Sequence, residues 1–162
     1  MTISPDLKFL LRHPAHFVAL GFGSGLVPKA PGTFGTLVGL PLFAALMLLP
    51  EQWHLILIAL LFAAGIHLCQ KAGDALGVSD HGSIVWDEIV AILLVLEYTP
   101  RLWGWWLVAF ILFRFFDIWK PYPIRHCDAR IKGGFGVMFD DLLAAIYAIT
   151  CIKALQWLMQ TF

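Results

Sequence analysis

Residues 31–70, PGTFGTLVGLPLFAALMLLPEQWHLILIALLFAAGIHLCQ, hold a single residue of the charged types Asp, Glu, Lys and Arg, which is Glu51. On either side of it, Pro31 to Pro50 and Gln52 to Gln70 are uncharged for about the 20 residues that a helix needs to cross the ~30 Å hydrocarbon core of a bilayer. The pair reads as a helical hairpin with Glu51 at its tip. Three later apolar runs are shorter and bear charge inside them or at their edges: Ile89 to Leu96, ending near Glu97; Leu102 to Phe116, interrupted by Arg114; and Leu142 to Leu158, interrupted by Lys153. Runs below about 17 residues are buried core helices or partial spans as readily as full crossings. The expected fold is therefore all-α, a polytopic membrane helix bundle with about five apolar helices, some short or partial, forming one domain over residues 1–162.

The composition agrees with that expectation. The chain is 60% hydrophobic and 14% charged with mean hydropathy +0.80, whereas a soluble domain draws roughly a quarter of its residues from the charged types. The surplus apolar surface calls for lipid to cover it. A formal net charge of zero, with no basic stripe, argues against a nucleic-acid partner. Cys69, Cys127 and Cys151 are odd in number and lie in no metal-ligand spacing, so neither a disulfide framework nor a zinc site is indicated. The opening stretch MTISPDLKFLLRHPAHF lacks an apolar run followed by a small-residue cleavage site, and no signal peptide is read there.

Lys and Arg concentrate in cytoplasmic loops of membrane proteins. Alternating five spans from an inside N-terminus places Lys8, Arg12, Lys29, Lys71, Lys120, Arg125, Arg130 and Lys132 in the cytoplasm and leaves Arg101 alone in an outside loop. Trp53, Trp103, Trp105 and Trp106 then fall at outer helix ends and Trp86 and Trp119 at inner ends, as interfacial belts. The same threading gathers Asp80, Asp87, Glu88, Asp117, Asp128, Asp140 and Asp141 at the cytoplasmic face. For Asp87, Glu88, Asp140 and Asp141 a helix N-terminus is a sufficient reason, since its dipole favours a carboxylate by about 0.3–1 kcal/mol. Asp117 has no such reason, because it ends the helix in RFFDIWKP, where the dipole is negative. Clustered carboxylates repel one another unless a positive charge lies among them. A hard divalent cation such as magnesium, which takes oxygen ligands, satisfies them; pairing with Arg114, Lys120, Arg125 and Lys132 at the surface is the competing account.

Residues 21–36, GFGSGLVPKAPGTFGT, have the composition of an irregular loop whose backbone N–H groups can hold an anion, but not the order of a nucleotide-binding P-loop. Their glycines serve close helix packing equally well. In IKGGFGVMFDD the glycines are expected to form a turn that aims Asp140 and Asp141 into the cluster. His81 is a candidate general acid or base on the same side, since histidine titrates near neutral pH, although a lone loop histidine is more often incidental. A divalent-cation channel or transporter also gathers carboxylates in a membrane, but its permeation path needs polar groups near midspan.

Four separated motifs, GFGSGLVPKAPGTFGT at 21–36, SDHGSIVWDE at 79–88, FRFFDIWKPYPI at 113–124 and KGGFGVMFDD at 132–141, resemble those of the phosphatidylglycerophosphatase A family, in the family's order. The resemblance implies a magnesium-dependent phosphomonoesterase of the bacterial cytoplasmic (inner) membrane, with its active site facing the cytoplasm. Its substrate would be phosphatidylglycerophosphate and its setting membrane lipid. Asp87, Glu88, Asp117, Asp140 and Asp141 are then the expected magnesium ligands and catalytic acids, with His81 beside them. Lys29, Thr33, Lys120, Arg125 and Lys132 are the candidates for binding substrate phosphates. Both a metal-activated water and an aspartate are open as the nucleophile.

Overall fold

Trp86–Glu97, the helix opened by WDE, is buried on almost every side: Ile89, Val90, Ala91, Ile92, Leu93, Val95 and Leu96 are all in the core. A helix that is apolar all round sits inside other elements, and this one is the axis of the molecule. A computed structural model describes residues 4–161, so the first three residues of the N-terminal stretch lie outside the described part. Two short helices, α1 (Leu7–Arg12) and α2 (Pro14–Ala19), lead through a 3-10 turn at Gly21–Leu26 into α3 (Pro31–Leu46). Then come α4 (His54–Leu76), the central α5 (Trp86–Glu97), α6 (Trp103–Trp119), α7 (Ile124–Arg130) and α8 (Gly133–Thr161). Helices α3, α4, α6 and α8 all pack on α5, and α8 also packs along α4 and α6.

The described residues form helices and no strands, as expected. Each of the five apolar runs lies largely within one of the larger helices. The number of crossings is where the structure departs from the sequence reading. Among the described residues, two helical segments are long and apolar enough to span a membrane: Glu51–Leu76, which includes the 3-10 turn before α4, and Gly133–Thr161. The 12 residues of α5 reach only about 18 Å at 1.5 Å per residue, and α3 and α6 also fall short of the two long segments. The core helix is short, and the bundle covers it. The outer helices, by contrast, expose apolar side chains at helical spacing: Leu55, Ile56 and Leu60 on α4, and Leu107, Ile111, Phe115 and Ile118 on α6. Such stripes are what water would penalise and lipid tails would cover.

Three further expectations need correction. Residues 31–36 are not loop but the opening turns of α3, with Pro31 at the first position, where its missing N–H costs nothing. Gly32, Gly35 and Gly39 form a smooth face against α5; a Cβ at Gly32 would collide with Glu88 Oε1 and one at Gly39 with the Ile92 side chain. Of the two uses foreseen for these glycines, close packing is the one realised. Second, α8 begins at Gly133, so Asp140 and Asp141 lie two turns inside it and do not open it. Gly134 sits against the Ile66 carbonyl of α4, where any side chain would strike backbone. Third, the tryptophans do not all lie in belts: Trp86 and Trp106 are buried, while Trp53, Trp103 and Trp119 are exposed.

Candidate active site

The first turn of α5 carries Asp87 and Glu88, the last turn of α6 carries Asp117, and the inner face of α8 carries Asp140 and Asp141. Because α6 and α8 both pack on α5, these five carboxylates from three helices meet at one end of the bundle. One oxygen from each of Asp87, Glu88 and Asp141 lies within 4.8 Å of the other two. Asp87, Asp140 and Asp141 are buried. Four oxygens in this group, Asp87 Oδ1, Glu88 Oε2, Asp140 Oδ1 and Asp141 Oδ2, are buried without a hydrogen-bond partner. Buried polar atoms are seldom left so, and several in one place are better matched to a cation than to one another. All the donors are hard oxygens, the set that suits magnesium rather than a thiolate or imidazole metal.

Two basic side chains enter the cluster. Arg114 Nη1 is 2.5 Å from Asp117 Oδ2 and 3.5 Å from Glu88 Oε1, and it reaches Thr36 Oγ1 at 3.5 Å. Thr36 in turn donates to the Gly32 carbonyl at 2.8 Å, which ties α3 to the site. This is the counter-charge to Asp117 that the competing account in the sequence reading named. The partner is an arginine one turn earlier, and the pair is nearly buried rather than on the surface. Lys120, in a left-handed conformation at the end of α6 with φ 45°, pairs with Asp140 and, at 3.2 Å, with Asp128 of α7. Burial works against the charged ammonium, but Asp140 and Asp128 outweigh it and hold the Lys120 pKa well above the ordinary lysine value. Asp87, Glu88, Asp117, Asp140 and Asp141 still outnumber Arg114 and Lys120.

The remaining candidates are less closely engaged. Lys29 is exposed just before α3, and Thr33 is half-buried in its first turn, one residue from the Gly32 that abuts Glu88. Arg125 and His126 are exposed on α7 and line, with Lys120 and Tyr122, an open hollow of about 660 Å³. Lys132 donates to the Asp128 carbonyl at 2.8 Å. His81 is half-buried in the loop before α5, its Nδ1 accepting from the Ser83 N–H at 3.2 Å; none of its hydrogen bonds goes to the carboxylates. Sequence reasoning missed Thr36 altogether. It also left His54 unassigned, yet at the other end of the bundle His54 is buried between Glu97, at 2.9 Å, and the Leu49 carbonyl, at 3.0 Å. Between that pair and the carboxylates the buried side chains of α5 are apolar, so the channel reading finds no polar midspan path to rest on.

No solved structure matches the chain. The family model described as phosphatidylglycerophosphatase A matches residues 17–156. A phosphatidylglycerophosphatase A of Haemophilus influenzae is 52% identical over 158 residues, covering 96% of this chain and 97% of the relative. The Escherichia coli protein of the same name is 40% identical over 153 residues, 90% of this chain and 89% of the relative. A Bacteroides thetaiotaomicron protein with the provisional name phosphatidylinositol-3-phosphatase is 39% identical over 150 residues, 88% of this chain and 93% of that protein. The family model spans the four motifs and all five carboxylates; on that match and those identities, the chain belongs to the phosphatidylglycerophosphatase A family.

Proposed function

We propose that the chain hydrolyses the terminal phosphomonoester of phosphatidylglycerophosphate, giving phosphatidylglycerol and phosphate, with magnesium held by the buried carboxylates at the cytoplasmic face of a bacterial inner membrane. The observation that carries this reading is the group of partnerless carboxylate oxygens on Asp87, Glu88, Asp140 and Asp141 at one end of an apolar bundle. The names of the relatives have a phosphomonoester on a phospholipid headgroup in common, and the family's name selects the glycerol phosphate. Such a headgroup presents itself where helices end, while its tails stay in the hydrocarbon.

A phosphate monoester carries about −1.5 to −2 charge near pH 7, and the cluster alone would repel it. Asp87, Glu88 and Asp141 would hold magnesium, with Asp117 and Asp140 adjoining; bound there, the ion would neutralise phosphoryl oxygens as a Lewis acid. Arg114 keeps Glu88 and Asp117 in place and offsets part of their charge. Lys120, held protonated beside Asp140, offers its ammonium to the phosphoryl group, and Arg125, in the adjoining hollow, is placed for the diester phosphate. Lys29, Thr33 and Lys132 surround the same end. The reaction forms a new P–O bond to the nucleophile and breaks the bond to the glycerol oxygen, which takes up a proton. The proton that the glycerol oxygen takes up would come from the imidazolium form of His81, which gives up the Ser83 contact at Nδ1 and returns to neutral imidazole on donating.

The test is phosphate release by the purified protein from phosphatidylglycerophosphate, against a phosphoinositide, with magnesium and after metal stripping. Release from the first lipid in magnesium and none in excess chelator is expected. Full turnover in chelator would remove the metal from the mechanism, and preference for the phosphoinositide would reassign the substrate.

A further inference from the structure

A groove of about 240 Å³ runs between α4, α5 and α8. Its walls are apolar, with Leu55, Ala59 and Phe62 from one face of α4, Ala91 and Leu94 from α5, and Leu142 from α8; Asp87 is its one charged residue. Ala59 and Ala91 leave the room, since leucines at these two lining positions would fill the space. From Asp87 to Leu94 the groove follows about 10 Å of helix at 1.5 Å per residue. Helices α4 and α5 run antiparallel, with Trp86 donating to the Leu61 carbonyl at one end and His54 meeting Glu97 at the other. The groove therefore starts at the carboxylate cluster and leads away from it toward the opposite end of the bundle. At its head lies Asp87, one of whose carboxylate oxygens, Oδ1, is buried without a hydrogen-bond partner. Walls of this kind offer water nothing to bond, so the natural occupant is hydrocarbon.

We propose that this groove seats one acyl chain of the lipid phosphate, with the glycerol end at Asp87 and the methyl end toward Leu55 and Leu94. The proposal rests on the reading of the site as a lipid phosphatase and adds what that reading lacks, a means of telling a membrane lipid from a soluble phosphate ester. The chain is specified because the groove is continuous with the headgroup site and points the way a tail runs from its headgroup. A tail anchored there places the phosphomonoester by position rather than by further headgroup contacts, which converts apolar binding into orientation at the reacting end.

Two measurements test it. In the first, wild-type protein in detergent is irradiated with phosphatidylglycerophosphate bearing a diazirine in one acyl chain, and the labelled residues are mapped. Label at Ala59 to Phe62 and Val90 to Leu94 is expected, displaced by unlabelled phosphatidylglycerophosphate and not by phosphatidylcholine. Label on the outer face of α6 at Leu107 and Ile111, or equal displacement by both lipids, means bulk solvation by lipid and overturns the groove. In the second, kcat/KM is compared for long-chain and short-chain substrates. Ala59→Phe, which fills the groove, is expected to lower the long-to-short preference at least tenfold, while Ala64→Phe, off the groove on the same helix, keeps the wild-type preference. An unchanged preference in Ala59→Phe overturns the proposal. If wild-type protein released no phosphate from any chain length, the phosphatase reading would fail, and the labelling would still decide the groove.

Discussion

At the scale of single residues, Asp117 and Asp141 are both carboxylates of one cluster, yet their neutralisation should move stability in opposite directions. Asp141 is buried, one of its oxygens has no partner, and its close neighbours Asp87 and Glu88 carry the same sign. Asp141→Asn relieves that repulsion in the metal-free protein. Its thermal midpoint is expected to rise, by about 2–4 °C for each ~1 kcal/mol relieved. The position of Asp141 within α8, rather than at its start, removes the dipole argument that would have predicted a loss. Asp117 instead holds Arg114 at 2.5 Å with both groups nearly buried. Asp117→Asn leaves the guanidinium with Glu88 and Thr36 alone and is expected to cost about 1–3 kcal/mol, below the ~3–5 kcal/mol for orphaning a fully buried charge. Both variants should lose turnover by about 10² or more, some 2.7 kcal/mol of transition-state stabilisation. Midpoints in metal-free detergent solution and phosphatase rates in magnesium settle the matter. A lowered midpoint for Asp141→Asn would mean that the Asp141 carboxylate is itself held by a counter-charge in the metal-free protein.

At the scale of elements, the contact between α3 and α5 sets structure and chemistry side by side on one helix face. Gly39 faces Ile92, and Gly32 faces Glu88, two turns nearer the site. Replacing glycine by alanine inside a helix is intrinsically favourable by about 1 kcal/mol, so any loss reports the neighbour. At Gly39 the new methyl meets a β-branched side chain with little rotamer freedom. Gly39→Ala is thus expected to push the helices apart at a net cost of about 1–3 kcal/mol, with turnover within about threefold of wild type, under 1 kcal/mol of barrier. At Gly32 the methyl meets the Glu88 carboxylate and lies 3.1 Å from Arg114 Nη1. There a side chain moves rather than a helix, so Gly32→Ala should leave the midpoint close to wild type and, if Glu88 acts as proposed, lower turnover about tenfold or more, because a metal ligand displaced by about 1 Å is a poor one. Paired measurements of melting and rate on the two variants make the contrast. Equal rate losses would show that α3 matters to the site only through packing.

At the scale of the whole molecule, the sequence disclosed most where charge is scarce. In a chain so apolar each carboxylate has to be accounted for, which is why Asp80, Asp87, Glu88, Asp117, Asp128, Asp140 and Asp141 could be grouped from the sequence; the narrowing to Asp87, Glu88, Asp117, Asp140 and Asp141 came with the family resemblance. Spacing within RFFD, three residues apart on one helix face, already contained the Arg114–Asp117 pair. The start of α8 was not legible, because KGGFG suits a turn and a close helix contact equally, and only the approach of Ile66 and Gln70 from α4 decides between them. The length of α5 was hidden for a similar reason: an apolar run reads alike whether lipid or protein covers it. Ser79 and Asp80, from the loop before α5, share a narrow cleft with Asp128 and Lys132, so the loops flanking the carboxylates close on one end of the bundle. Glu51, Gln52 and Tyr98 line a hollow at the other end. That polarity, together with the excess of Lys and Arg at the carboxylate end, predicts the orientation. In a background without native cysteines, Ser79→Cys and Ala129→Cys should resist an impermeant thiol reagent in intact cells and react once the cells are opened, while Gln52→Cys should react in both. Labelling of Ala129→Cys from outside, with Gln52→Cys protected, would invert the protein and put phosphate release on the far side of the membrane. Labelling of all three from outside would mean that the Glu51–Leu76 segment does not cross, and that the apolar stripe of α4 rests on another surface.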